Sequence, residues 1–174
     1  ASRGLGDVYK RQIKFRPAQG AYADYKVGGA ADHCCMRVEE MYFIEAEATA
    51  QAGDLAGGIR LLNEFMTSYR MMNGATYDCT SKSGTLEGFI NELMLQKRIE
   101  FWGEGIVMFD MKRLDMSSKR GYVGTNAPSS YLLNVEGRAP YWNFVIIRSE
   151  TQNNPVIATQ NNPDPSQTVK PWNG

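Results

Sequence analysis

Two glutamates, Glu100 and Glu104, come closest in type and spacing to a catalytic pair. Glycoside hydrolysis uses two carboxyl groups that lie on either side of a sugar bond. Residues four apart lie on one face of a helix, so these two carboxylates cannot flank a bond. Ion pairs are favoured instead, because four basic residues lie nearby: Lys97, Arg98, Lys112 and Arg113. We predict a structural role for both glutamates and no catalytic residue.

The single histidine, His33, stands beside Cys34 and Cys35. Sequence neighbours point apart, which argues against a Cys–His catalytic dyad, and a second pair of spaced zinc ligands is lacking. Adjacent cysteines rarely bond to each other, and Cys79 makes the total odd, so a disulfide framework is not indicated. We predict that all three are small apolar residues in or near the core, with no metal and no cofactor.

Other chemistries and partners find little support in the sequence. Nucleophile-elbow, phosphate-loop, zinc-protease and dinucleotide-binding motifs are absent. Acidic and basic residues balance at 19 each, so we expect no nucleic-acid partner. No stretch approaches the roughly 20 apolar residues of a membrane-spanning helix.

Aromatic side chains are the local candidates for contact with a sugar, since sugars stack on flat rings. The candidates are Trp102, Trp142, Trp172, Tyr131 and Tyr141. Trp102 is interleaved with apolar residues and is predicted to lie in the core. Tyr141 and Trp142 are predicted to pack, and Trp172 lies near the terminus. We assign no ligand-binding residue from sequence.

The sequence predicts a helical hairpin at the start of the helical region. Residues 37–52 are strong helix formers, and Gly53 and Asp54 are predicted to end this helix and cap the next one. The apolar stripe of the first helix is predicted to be Val38, Met41, Tyr42, Glu45, Ala48, Thr49 and Ala52. The second helix carries Leu55, Ile59, Leu62, Phe65, Met66 and Tyr69 at helical spacing. So short a connection makes the helices antiparallel.

Glu45 and Glu47 lie within this apolar first helix. Because a buried carboxylate must be paired, we expect an ion pair with Arg98 or Arg113.

Further helices follow the hairpin. Residues 73–84 have a loop composition, and Thr85 is predicted to cap a helix over residues 86–103. One side of that helix carries Phe89, Ile90, Leu93, Met94, Lys97 and Phe101. Gly103 and Gly105 interrupt it before a helical pattern resumes over residues 106–114. The remainder is rich in Pro, Asn, Ser and Thr, with one strand-like run at residues 143–147, and is predicted to wrap an existing surface.

Three segments in this order resemble the SusD/RagB family. RVEEMYFIEAEATAQAGDLAGGIRLLNEF resembles the last tetratricopeptide-like helical pair of that family. Its turn, GDLAGGIRLLN, resembles a tetratricopeptide turn, in which Gly58 lets two helices close. LMLQKRIEFWGEGIVMFDMKRLDM resembles the most recognisable helix of the SusD/RagB family, and APYWNFVIIRSETQNNPVIATQNNP its closing stretch. The match is carried by Arg98, Glu100, Glu104, Gly105, Phe109, Asp110, Lys112, Arg113, Glu150, Asn154 and Pro155. Val107 and Ile147 depart from the residues usual in the family.

The resemblance implies a mainly α fold, with a tetratricopeptide-like hairpin, further helices and an irregular C-terminal wrap. We interpret residues 1–12 as a non-native leader and residues 13–36 as an irregular lead-in. Residues 37–116 would be the helical region of the C-terminal domain of such a protein, and residues 117–174 its irregular segment.

The resemblance also implies a non-enzymatic function: binding of a nutrient, most simply a glycan, at the outer face of the outer membrane. The ligand would pass to a SusC-like TonB-dependent transporter, and membrane contact would run through a lipid anchor that lies outside this fragment. The alternative is an intracellular tetratricopeptide-type scaffold for protein interactions.

Overall fold

The computed structural model describes residues 35–163, which are mainly helical. The chain divides into two compact units between Leu93 and Met94. The α-helices of the described residues are α1 (Val38–Gln51), α2 (Leu55–Tyr69), α3 (Leu86–Glu100), α4 (Val107–Arg113), α5 (Arg148–Asn153) and α6 (Pro155–Ala158). Two short strands, β1 (Ser118–Lys119) and β2 (Asn134–Val135), and three 3₁₀ turns complete them. The predicted mainly helical fold is confirmed.

The hairpin of α1 and α2 forms as its turn predicts. Gly53 adopts a left-handed conformation with φ +106°, and the Asp54 carboxylate accepts a hydrogen bond from the Gly57 N–H at 2.8 Å. A Cβ on Gly58 would lie 2.7 Å from the Ala46 carbonyl oxygen and 2.7 Å from the Ala50 Cβ. Because no side chain fits there, Gly58 allows the two helices to approach closely, as predicted.

The buried face of α1 differs from the predicted one. It consists of Phe43, Ala46, Glu47 and Ala50, whereas Val38 is 65% exposed and Met41, Tyr42, Glu45 and Ala48 are also exposed. The predicted stripe was wrong because apolar residues surround α1, and the close approach of Gly58 selects the face that carries Ala46 and Ala50. The α2 prediction is largely confirmed, with Leu62, Phe65 and Met66 buried and Tyr69 exposed.

The buried carboxylate of α1 is therefore Glu47 and not Glu45. Glu47 is 5% exposed and accepts a hydrogen bond from the Gln51 side-chain amide at 2.8 Å, one turn along the same helix. Arg113 pairs with Asp110 at 2.7 Å. The predicted ion pair was wrong for Glu45, because Glu45 faces solvent, and it stays a prediction for Glu47.

The cysteines do not share one environment. Cys79 is buried, and its burial raises the pKa of its thiol, whereas Cys35 is exposed. The prediction of a core position is confirmed for Cys79 and wrong for Cys35, while His33 and Cys34 lie outside the described residues. Asn63 on α2 holds the loop around Cys79 by accepting the Cys79 N–H at 3.0 Å.

This difference predicts selective alkylation. Thiolate is the reactive form, and access controls its reaction, so iodoacetamide should modify Cys35 in the folded protein and leave Cys79 intact. Peptide mapping by mass spectrometry after a short exposure tests this. Addition of urea should open Cys79 to the reagent, and equal labelling of both residues without urea would contradict the burial of Cys79.

The helix α3 follows its predicted pattern closely. Thr85 caps it, with its hydroxyl accepting the Gly88 N–H at 3.1 Å. The predicted side is buried at Phe89, Leu93, Met94 and Lys97, and Phe101 is buried just beyond the helix end. Gly103 and Gly105 have positive φ values, of 79° and 83°, and separate α3 from α4, as expected of glycines.

A charged cluster joins α3 and α4. The Lys97 ammonium is 2% exposed and pairs with the Asp110 carboxylate, which also pairs with Arg113 at 2.7 Å. The Asp110 carboxylate thus pairs with two cations, the buried Lys97 ammonium and the half-exposed Arg113 guanidinium. Because the Lys97 side chain is shielded from water, the ion pair with Asp110 offsets the free-energy cost of burying its ammonium charge.

The C-terminal part contains more helix and less strand than predicted. Asn143 and Ile147 are extended, but residues 143–147 pair with no strand among the described residues. The Asn161 side chain accepts from the Ile146 N–H at 2.7 Å and donates to the Ile146 carbonyl at 3.1 Å. A side-chain amide therefore supplies the hydrogen bonds of a neighbouring strand. The helices α5 and α6 follow, the latter starting with Pro155 at a position where a missing N–H costs nothing.

Candidate ligand-binding groove

A groove of about 710 Å³ lies within the second unit. Its volume falls in the range of roughly 300–1,000 Å³ that is usual for small-molecule sites. It is lined by Arg98, Met108, Met111, Ser117, Ser118, Lys119, Arg120, Tyr131, Leu133, Tyr141 and Trp142. The lining thus combines three aromatic side chains, three cations, two serine hydroxyls and three apolar side chains, with no carboxylate among the described residues.

One wall of the groove is a loop fixed by a single amide side chain. The antiparallel pair of β1 and β2 sets Ser118 opposite Val135. The Asn134 side-chain oxygen accepts from the Arg120 N–H at 2.9 Å and from the Gly121 N–H at 2.8 Å, and its amide donates to the Gly121 carbonyl at 2.9 Å. The backbone that carries Arg120 is therefore held by three hydrogen bonds from one residue.

The aromatic wall is placed by a 3₁₀ turn over Pro140–Trp142. The rings of Tyr141 and Trp142 stand perpendicular to each other, with centroids 6.3 Å apart. The Lys112 ammonium on α4 donates to the Trp142 carbonyl at 3.3 Å, and the Arg138 guanidinium donates to the Lys112 carbonyl at 3.0 Å. These contacts tie the turn to α4, whose Met108 and Met111 line the same groove.

Nearby carboxylates are paired with groups of the protein. Glu136 lies 3.1 Å from the Lys119 ammonium and accepts a hydrogen bond from the Ser117 hydroxyl at 3.1 Å. The bond from Lys119, followed by that from Ser117, lowers the pKa of the Glu136 carboxyl group. The Asp115 carboxylate accepts the Arg138 N–H at 2.8 Å.

Of the five aromatic candidates from the sequence, the structure brings three together: Tyr131, Tyr141 and Trp142 line the groove. Trp102 is 52% exposed and does not line it, so its predicted core position was wrong. Trp102 comes two residues after the end of α3 and continues the exposed side of Leu95 and Ile99, not the buried side of Phe101. Trp172 lies outside the described residues.

The paired glutamates do not form an acid–base site in the groove. Glu100 is the last residue of α3, and Glu104 follows in the turn beyond it, so they do not share a helical face. Neither of them lines the groove. In the part of the chain that the structure describes, no cluster of three or more His, Cys, Asp or Glu side chains could hold a metal ion.

Sequence reasoning missed the run from Ser117 to Arg120 as part of a site. Its signal was a basic pair after two serines in a stretch without helical periodicity.

A second, smaller pocket of about 210 Å³ lies between α1 and α2, and two glutamates, Glu45 and Glu64, line it. It is smaller than most ligand sites and offers little donor chemistry.

Comparison with known proteins gives one match. A model of the SusD family matches residues 10–168, which is most of the chain. Searches of curated proteins and of solved structures find no match.

Members of this family bind nutrients such as glycans at the cell surface and are not enzymes. They are typically found on the outer membrane. Within residues 35–163, the helices are too short or too polar to cross a bilayer. Because the match covers the hairpin, the α3–α4 region and the closing stretch together, the chain belongs to the SusD family.

Proposed function

We propose that this protein captures a glycan at the outer face of the outer membrane and hands it to a SusC-like TonB-dependent transporter, without cleaving it. Family membership supports the class of function. The observation that carries the local proposal is the groove, in which Tyr131, Tyr141 and Trp142 lie beside arginine and serine donors. Rings can stack on the apolar faces of a sugar while donors bind its hydroxyls.

The perpendicular rings of Tyr141 and Trp142 offer a sugar one ring to stack on and a second ring at its edge. A sugar stacked on Trp142 would meet the Tyr141 ring side-on, 6.3 Å from centroid to centroid. Ser118 and Arg120 also line the groove, and their loop is held by Asn134. Because these hydrogen bonds already fix the loop in the free protein, less conformational entropy is lost when a ligand binds.

Replacement of Trp142 by alanine should weaken glycan binding by about five- to tenfold, as expected for the loss of one aromatic contact. Affinity electrophoresis of the purified protein in gels that contain single polysaccharides measures this. Trp102→Ala is the matched control, since Trp102 is exposed and lies outside the groove. An equal loss in both variants would argue against the groove, and failure to bind any polysaccharide would argue against glycan capture.

Location separates this proposal from an intracellular tetratricopeptide-type scaffold, which the α1–α2 hairpin on its own also suits. A protease added to intact cells should degrade the protein if it faces outward. A TonB-dependent barrel should copurify with it from detergent-solubilised membranes. Protection from the protease in intact cells would favour the scaffold.

A further inference from the structure

We infer that the groove selects an anionic sugar, that is, a glycan bearing carboxylate or sulfate groups. This inference rests on the proposed function and adds the chemical class of the ligand. It starts from an imbalance of charge: three cations line the groove, Arg98, Lys119 and Arg120, and no carboxylate lines it among the described residues.

Within residues 35–163, two of these three cations have no acidic partner. Lys119 pairs with Glu136 at 3.1 Å. Arg98 and Arg120 are exposed, and neither side chain forms an ion pair or a hydrogen bond within residues 35–163. An arginine cannot lose its proton at neutral pH, so the groove keeps two positive charges that a ligand can meet.

Two further acidic groups of the same unit, Asp110 and Asp115, are bound to other partners. Asp110 is occupied by Lys97 and Arg113. The Asp115 carboxylate is engaged with the backbone at Arg138, and a Cβ on Gly137 would lie 3.2 Å from it. Both carboxylates are thus held by protein groups outside the groove lining, and among the described residues no acidic side chain pairs with Arg98 or Arg120.

The geometry also favours an arginine-bound anion on a sugar over a free inorganic one. A guanidinium presents a planar pair of donors that matches the oxygens of a carboxylate or a sulfate. Tyr131, Tyr141 and Trp142, with Met108 and Met111, offer apolar surface that a small inorganic ion would leave uncovered. A charged sugar would use both parts of the lining at once.

The test uses calorimetric titration of the purified chain with trigalacturonate and with its fully methyl-esterified form. Esterification removes the charges and keeps the sugar rings. A sulfated galactan oligosaccharide and its desulfated form make the second pair, and these two pairs distinguish carboxylate from sulfate. The double variant Arg98→Gln/Arg120→Gln removes the two uncompensated charges, and Arg148→Gln is the control, because Arg148 is exposed and lies outside the groove.

At least one charged oligosaccharide should bind about tenfold more tightly than its neutral form, as expected for charge-assisted hydrogen bonds at an exposed site. The double variant should bring that ratio close to one and leave the melting temperature unchanged, while Arg148→Gln keeps the ratio. Added NaCl should weaken only the charged ligand.

Equal affinity for charged and neutral forms in the native protein would overturn the inference and leave glycan capture standing. A ratio that survives in the double variant would also overturn it, since the charge would then be recognised elsewhere. If neither pair binds, nor any polysaccharide in the electrophoresis panel, the proposed function itself fails and the inference falls with it.

Discussion

Replacement of Asp110 by asparagine is expected to lower the free energy of unfolding by about 3–5 kcal/mol, the cost of leaving a buried charge without its partner. Lys97 is 2% exposed, so its ammonium cannot turn to water when the carboxylate is lost. Asparagine keeps the size of the side chain and removes the charge. Urea unfolding followed by circular dichroism measures the change.

Two variants show whether burial of Lys97 is the cause. Lys97→Met removes the buried charge and leaves Asp110 paired with Arg113, so we expect it to cost less than half as much as Asp110→Asn. Glu64→Gln breaks an exposed pair with Arg60, in which both side chains are about 60% exposed, and should change stability by less than about 0.5 kcal/mol. Equal losses for Asp110→Asn and Lys97→Met would contradict the explanation.

Periodicity was sufficient to predict α3 because its apolar residues form one stripe. Phe89, Leu93 and Lys97 follow each other at four-residue steps, and the structure buries all three. Lys97 was predicted to lie on the apolar side although it is charged, because it falls four residues after Leu93 in the helical pattern. Its partner Asp110 lies beyond two glycines that turn the chain, and no local pattern gives the pairing across such a break.

Periodicity failed for α1 because apolar residues occur all around that helix. Two faces of α1 carry apolar residues. The face that is buried contains Ala46 and Ala50, whose small side chains contribute little to a hydrophobic pattern. The choice is made by a contact with Gly58 on α2. A tertiary contact therefore decides a question that the first helix alone leaves open.

The groove is less predictable than the helices for a related reason. Its aromatic residues could be named from sequence, but its walls are loops held by the side chains of residues such as Asn134, and by Lys112 through the Trp142 carbonyl. Such bonds follow no repeat, so sequence does not show which loops meet. Arg120 became a candidate only when the structure placed it in the same groove lining as the rings.

Replacement of Gly58 by valine is expected to lower the free energy of unfolding by about 2–3 kcal/mol, as for other insertions into packed contacts. The added Cβ would meet the Ala46 carbonyl oxygen and the Ala50 Cβ at 2.7 Å each. One of these is backbone and cannot rotate away, so the helices must separate and lose the packing of Phe43 and Leu62.

Gly84→Ala is the matched control for Gly58→Val, because no atom lies within 4 Å of the Cβ that it would add and its φ is not positive. We expect it to leave stability unchanged or slightly increased, through the reduced freedom of the unfolded chain. Gly58→Ala should fall between the two, since its gain of about 1 kcal/mol in helix propensity offsets part of the clash. If Gly58→Val unfolded at the same urea concentration as the native protein, the hairpin would not depend on this contact. The buried face of α1 would then need another cause.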